Sequence, residues 1–201
     1  MHLRWGQPPQ SPEPWRQPAA PVAPGVPDWL EERLFDQRIV MIRGPLTGDA
    51  ASGVAAALLT LDAAGPSPVQ LHIASDGGEL TAALAVLDVL DSMISPVHAL
   101  VTSQAAGAVV GVLAAAEKRS AYRHARFRLT EPRATGVTGT ADEVARAAGQ
   151  HLRELEEVTL RLVEVTGQAR SRIEDDMHNG RSLTAPEALE YGLIQEIVGK
   201  A

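Results

Sequence analysis

"VQLHIASDGGELTAALAVLDVLDSMISPVHALV", residues Val69–Val101, decides the fold. Its first seven residues read as a strand, and Asp76, Gly77 and Gly78 close that strand with a turn signal. Leu80, Leu84, Leu87 and Leu90 or Asp91 then recur at helical spacing. Pro96 opens a second strand-like run, "PVHALV". Strand, helix and strand with tight links predict parallel pairing through a right-handed crossover.

The alternation continues on both sides. Upstream lie "RIVMI" (38–42) and "GDAASGVAAALLTLDAAG" (48–65), a helix with a start at Asp49 and a glycine stop. Downstream, "AAGAVVGVLAAAEK" (105–118) reads as the next helix and "ARFRLT" (125–130) as a fourth strand. Residues Ala141–Val165 break the rhythm with one long helix, whose apolar stripe is Val144, Ala148, Leu152, Leu155, Thr159 and Leu162. In "SLTAPEALEYGLIQEIV" (182–198), Thr184 is placed to cap a helix that carries Pro186 in its first turn, and a short strand closes the chain.

Composition narrows the function. With 201 residues the chain suits one domain, and at 3% aromatic content the core has to be aliphatic. A net charge of −7 with acids and bases interspersed lacks the basic cluster that nucleic acid requires. The absence of cysteine excludes disulfides, thiolate catalysis and cysteine-ligated metals. The longest apolar stretch, Ala105–Ala116, is short against the roughly 20 residues of a bilayer span, and no apolar signal-peptide core is evident. These features lead us to expect a cytoplasmic protein without a membrane or nucleic-acid partner. Eight of the 14 prolines precede Asp28, so residues 1–27 are expected to be a disordered, polyproline-like tail, with Trp5 and Trp15 as its two aromatic side chains. Residues 28–201 form the expected domain.

Small residues in "SQAAGAVVG" (103–111) would let a substrate approach backbone amides at a helix start, as a hydrolase requires. Together with "RIVMIRGPL", "SDGGELTAA" and "APEALEYGLIQEIV", in that order over residues 34–199, this segment resembles the proteolytic subunit of the Clp protease (ClpP). The resemblance implies an α/β, ClpP/crotonase-like fold of repeated β-β-α/β-α units with a long protruding handle helix, here residues 141–165. It also implies two stacked seven-membered rings, a serine endopeptidase site and an ATP-driven unfoldase as partner.

Residue by residue, the resemblance gives a different picture of catalysis. The family's nucleophilic serine falls on Gly107, its histidine on Thr130 in "TEP", and its aspartate on Gly180. Acyl transfer needs a nucleophile, a base with a pKa near neutrality and a group that orients the base. Glycine and threonine supply none of this set. The oxyanion donors implied by the resemblance are the backbone amides of Gly78 and Ala108, which do not depend on side chains. Positions that line the family's unfoldase-docking pocket carry Gln70, His72 and Ser92, and the Asp-Arg pair of the ring contact is replaced by His178 and Asn179.

The expectation is therefore a degenerate, non-catalytic subunit (pseudoprotease) with a structural or regulatory role in homo- or hetero-oligomeric, heptameric rings with ClpP paralogues, touching the unfoldase indirectly. No cofactor or metal is expected. Asp175, Asp176 and His178 read as a solvated acidic helix end rather than a metal site. Two alternatives stand beside this reading. One is a crotonase-like acyl-CoA-binding enzyme, which would use the two amides without a serine. The other is a serine peptidase with a relocated nucleophile, Ser103 first, served by His124 or His178; His72 and Ser75 point to opposite faces of a strand.

Overall fold

A computed structural model describes residues 27–132 and 138–199. The tail with Trp5 and Trp15 lies outside the described residues. Helix α1 (Asp28–Asp36) leads into β1 (Ile39–Arg43), α2 (Gly48–Ala64), β2 (Val69–Ser75), α3 (Leu80–Ser92), β3 (Val97–Ala106) and α4 (Val109–Ala115). Two strands follow, β4 (Lys118–Tyr122) and β5 (Arg126–Arg128), then the long helix α5 (Ala141–Thr166) and α6 (Arg170–Asn179). The chain closes with β6 (Ser182–Thr184), α7 (Ala185–Tyr191) and β7 (Glu196–Val198). β1-β2-β3-β4-β7 form a parallel run, and β5 branches from the end of β3 to pair antiparallel with β6. The chain is thus a mixed α/β fold with a mixed sheet.

The expected parallel βαβ units are present, and the period-2 burial of β2 explains why. Val69, Leu71, Ile73 and Ser75 face the helices and are fully covered, whereas Gln70, His72 and Ala74 face the other way and are half-buried. Val54 and Leu58 of α2 and Val86 and Leu90 of α3 belong to the same buried aliphatic cluster. Buried Ser75 resolves its polarity locally: its hydroxyl donates toward the carbonyls of Gly44 (2.6 Å) and Gly77 (2.9 Å).

Two expectations need correction. The helix placed at 105–118 begins only at Val109, because β3 runs on to Ala106 to pair with β5 and Gly107 then turns the chain at φ +53°. The strand at 125–130 is the fifth, not the fourth, since "KRSAY" forms β4 in between. Hydropathy hides β4 because one of its two buried positions is an arginine: Arg119 donates to the carbonyls of Leu193 (3.0 Å) and Ala116 (3.1 Å). Helix α1 precedes the first expected strand; four of its nine residues are apolar, and one of them, Trp29, is exposed.

The long helix forms as expected, but its stripe divides. Thr159 and Leu162 are buried, together with Val158, which seats against Gly111 of α4 so closely that a Cβ there would lie 3.0 Å from Val158 Cγ1. In the N-terminal half, Val144 and Leu152 are exposed, Leu152 by 65%.

Thr140 and Glu143 close a capping box at the start of α5, and Thr184 and Glu187 do the same for α7. Hydrogen bonds from the capping threonines hold both glutamate carboxyls below their ordinary value of 4.5. A carboxyl with a depressed folded-state pKa stabilises the fold above its unfolded value and loses that contribution as pH falls through the folded one. Urea titrations should therefore show stability declining as pH drops below about 4.5. Glu187→Gln should flatten part of that decline; an identical profile would remove the capping carboxylate as its cause.

Candidate functional site

The parallel strands end on a hollow of about 840 Å³, at the carboxyl edge where open α/β sheets place their sites. Three segments build its floor. The turn after β2 brings Gly77 and Gly78, the turn after β3 brings Gly107 and Ala108, and the chain beyond β5 brings Thr130. The end of α6 closes the fourth side with Gly180.

Backbone hydrogen bonds position these segments. Gly107 N–H donates to the Arg128 carbonyl (3.0 Å), Leu129 N–H to Arg181 (2.8 Å) and Glu131 N–H to Met177 (3.2 Å). The β2–α3 turn is clamped to Leu46, whose N–H donates to the Gly77 carbonyl (2.9 Å) and whose carbonyl accepts from Glu79 (2.9 Å). That close approach requires glycine at 78, since a Cβ there would lie 2.6 Å from Leu46 N. Among the described residues, the Gly78 and Ala108 amides have no hydrogen-bond acceptor.

Positions 107, 130 and 180, far apart in sequence, meet in this hollow. A Cβ on Gly107 would stand 3.5 Å from Thr130 Oγ1, and one on Gly180 would stand 3.4 Å from Thr130 Cγ2. Gly107 and Gly180 both hold positive φ, +53° and +70°. The only hydroxyl among the described lining residues is that of Thr130, and neither cysteine nor lysine lines the hollow.

The other candidate positions disperse. Ser103 is exposed within β3 and does not line the hollow, and His124 lies exposed between β4 and β5. His178 and Asn179 do border the hollow; His178 Nδ1 sits 3.5 Å from a Glu131 carboxylate oxygen, and the Asn179 amide donates back to the Asp175 carbonyl (2.8 Å). Asp176 is taken up elsewhere: it accepts from Arg181 (3.0 Å) and from the Tyr191 hydroxyl (2.7 Å). Burial, followed by that bond to Asp176, pushes the Tyr191 phenol well above its ordinary range. Gln70 and His72 share the half-buried sheet face, with Ile39 and Met41 as their β1 neighbours, while Ser92 is exposed at the end of α3. Burial lowers the pKa of His72. Among the described residues, no three histidine or acidic side chains are grouped to hold a metal.

Sequence reasoning missed Arg128, Glu131 and His151 as lining residues. Arg128 and Glu131 flank a singled-out position, so proximity to Thr130 was their available signal. His151 comes from α5 and had none.

The family model for Clp protease matches residues 28–201. The chain belongs to the Clp protease family. It is also similar to the ATP-dependent Clp protease proteolytic subunit 2 of Mycolicibacterium paratuberculosis (strain ATCC BAA-968 / K-10), with 36% identity over 180 residues, 87% of this chain and 88% of that protein. Within this Clp family chain, no helix among the described residues is long and apolar enough to cross a membrane.

Proposed function

We propose that this chain is a non-catalytic subunit of a cytoplasmic Clp-type proteolytic ring, serving a structural or regulatory role beside active paralogues. One observation carries the reading: where a Clp peptidase would need a nucleophile and its base, Gly107 has no side chain and its neighbour at about van der Waals distance is the methyl-bearing alcohol of Thr130. A threonine hydroxyl does not accept a proton near neutral pH, and the third position, Gly180, has nothing to orient a base. Residues 28–201 are the ring-forming domain in this reading, and residues 1–27 are a tail outside it. The test is labelling with a serine-directed fluorophosphonate. No adduct is expected; stoichiometric labelling at Ser103 or any other residue would overturn the reading.

Assembly runs through the projecting half of α5 in this proposal. Leu155 is half-buried against the core, so an acid there would disturb the fold as well as any contact between subunits. Leu152, exposed by 65%, separates the two effects. Leu152→Asp should lower the assembled fraction in light scattering, alone or mixed with paralogues, while the melting temperature holds. A wild-type monomer under both conditions would sink the ring reading.

The altered positions Gln70, His72 and Ser92 make unfoldase contact indirect. Docking of an apolar loop gains about 25 cal/mol per Å² of buried apolar surface, and polar walls reduce that gain. A homomeric ring should therefore bind ATP-loaded unfoldase more weakly than an active paralogue does. Equal affinities in a titration would refute this.

A further inference from the structure

We infer that the hollow is a receptor for the free carboxylate of a peptide, anchored by Arg128. The inference rests on the non-catalytic reading, and it assigns a ligand to the space that missing side chains leave open. The point a Cβ would occupy on Gly180 is flanked by Thr130 Cγ2 at 3.4 Å and by the Arg128 guanidinium, with Nη2 at 3.7 Å and Nε at 3.9 Å. The equivalent point on Gly107 is 3.5 Å from Thr130 Oγ1. A guanidinium edge and a hydroxyl thus border one unfilled space.

Several hydrogen-bond donors line this space without a protein partner. Among the described residues no carboxylate pairs with Arg128, and the Thr130 hydroxyl makes no hydrogen bond. The unpartnered Gly78 and Ala108 amides belong to the same lining. A planar guanidinium fork matches a carboxylate in two parallel hydrogen bonds. Charge selects a single carboxylate over a polyanion: Asp76 and Glu131 also line the hollow and would repel dispersed negative charge, while Arg128 is its one arginine or lysine among the described residues. The hollow's about 840 Å³ leaves room for the residues that precede such a terminus. In a chamber where peptide bonds are hydrolysed, each cleavage creates a new terminal carboxylate, so the natural ligand class is peptide product.

The experiment titrates the full chain into an N-terminally fluorescein-labelled peptide of alanine and leucine, once as the free acid and once as the C-terminal amide, and reads anisotropy. The acid should bind about tenfold tighter, the scale of a charge-assisted hydrogen-bond pair. Arg128→Gln, on an exposed strand position, should bring the acid down to the affinity of the amide, and Arg128→Lys should recover only part. Circular dichroism melts report whether each variant is folded; should Arg128→Gln unfold, the acid-to-amide ratio of the wild-type chain decides alone. Equal binding of acid and amide, or an acid preference that survives in folded Arg128→Gln, would overturn the proposal. Mass spectrometry of the same mixtures reads cleavage separately: shortened peptide would refute the non-catalytic reading, while the initial acid-to-amide ratio would still decide this one.

Discussion

Peptides that active Clp proteolytic subunits cleave should remain intact with this chain, and Gly107→Ser alone should leave turnover within about tenfold of background. Space is not the obstacle. A side chain on Gly107 meets Thr130 Oγ1 at 3.5 Å and the Gly77 Cα at 3.8 Å, both ordinary contacts. In the proposed non-catalytic reading the single change lacks a base: loss of either the serine or the histidine of a triad costs on the order of 10⁶ in kcat, so restoring one member alone is expected to recover little. Gly107→Ser with Thr130→His and Gly180→Asp should exceed the single variant by at least about 10²-fold, the usual return on a positioned general base. Gly180 is left-handed (φ +70°, ψ 49°), a conformation that aspartate tolerates better than most residues. Fluorogenic peptide turnover and fluorophosphonate stoichiometry check the series, using protein made in a host without its own Clp peptidase. If Gly107→Ser matched the triple variant, the base would lie elsewhere, and His151 and His178 of the same hollow would be the next positions to replace.

Gly78→Ala should be the most damaging single methyl in the molecule, costing about 3–5 kcal/mol and lowering the melting temperature by about 10 °C. The added Cβ would stand 2.6 Å from Leu46 N and 2.7 Å from Leu46 Cβ, and Leu46 cannot retreat because it is itself buried and bonded to both sides of the turn. Gly44→Ala is the control. It shares a positive φ (+64°) but meets nothing within 4 Å, so it should show only the left-handed penalty of about 1–2 kcal/mol. Similar losses for the two variants would mean that backbone conformation, rather than the contact with Leu46, makes Gly78 obligatory. Because Gly78 lines the hollow, a folded remnant of Gly78→Ala should also bind the labelled peptide acid more weakly.

Sequence by itself determined the βαβ core, because the burial period of 2 in Val69–Ser75 and the helical spacing of the leucines from Leu80 onward are properties of neighbouring residues. The caps are equally local, and Thr184 as N-cap was legible for that reason. Positions 107, 130 and 180 were singled out through resemblance alone: nothing in the immediate surroundings of Gly107, Thr130 or Gly180 says that they meet. Tertiary structure alone decided the rest. It buried an arginine in β4 by giving its guanidinium the carbonyls of Leu193 and Ala116, a solution no hydropathy pattern encodes. It divided the apolar stripe of α5 into a half that is buried (Thr159 and Leu162) and a half left exposed (Val144 and Leu152), because a helical period reports which residues share a face and not how far the partner surface extends. And it set Arg128 beside the empty position of Gly180, since residues 52 apart in sequence come together only when β5 and the end of α6 are joined through backbone hydrogen bonds.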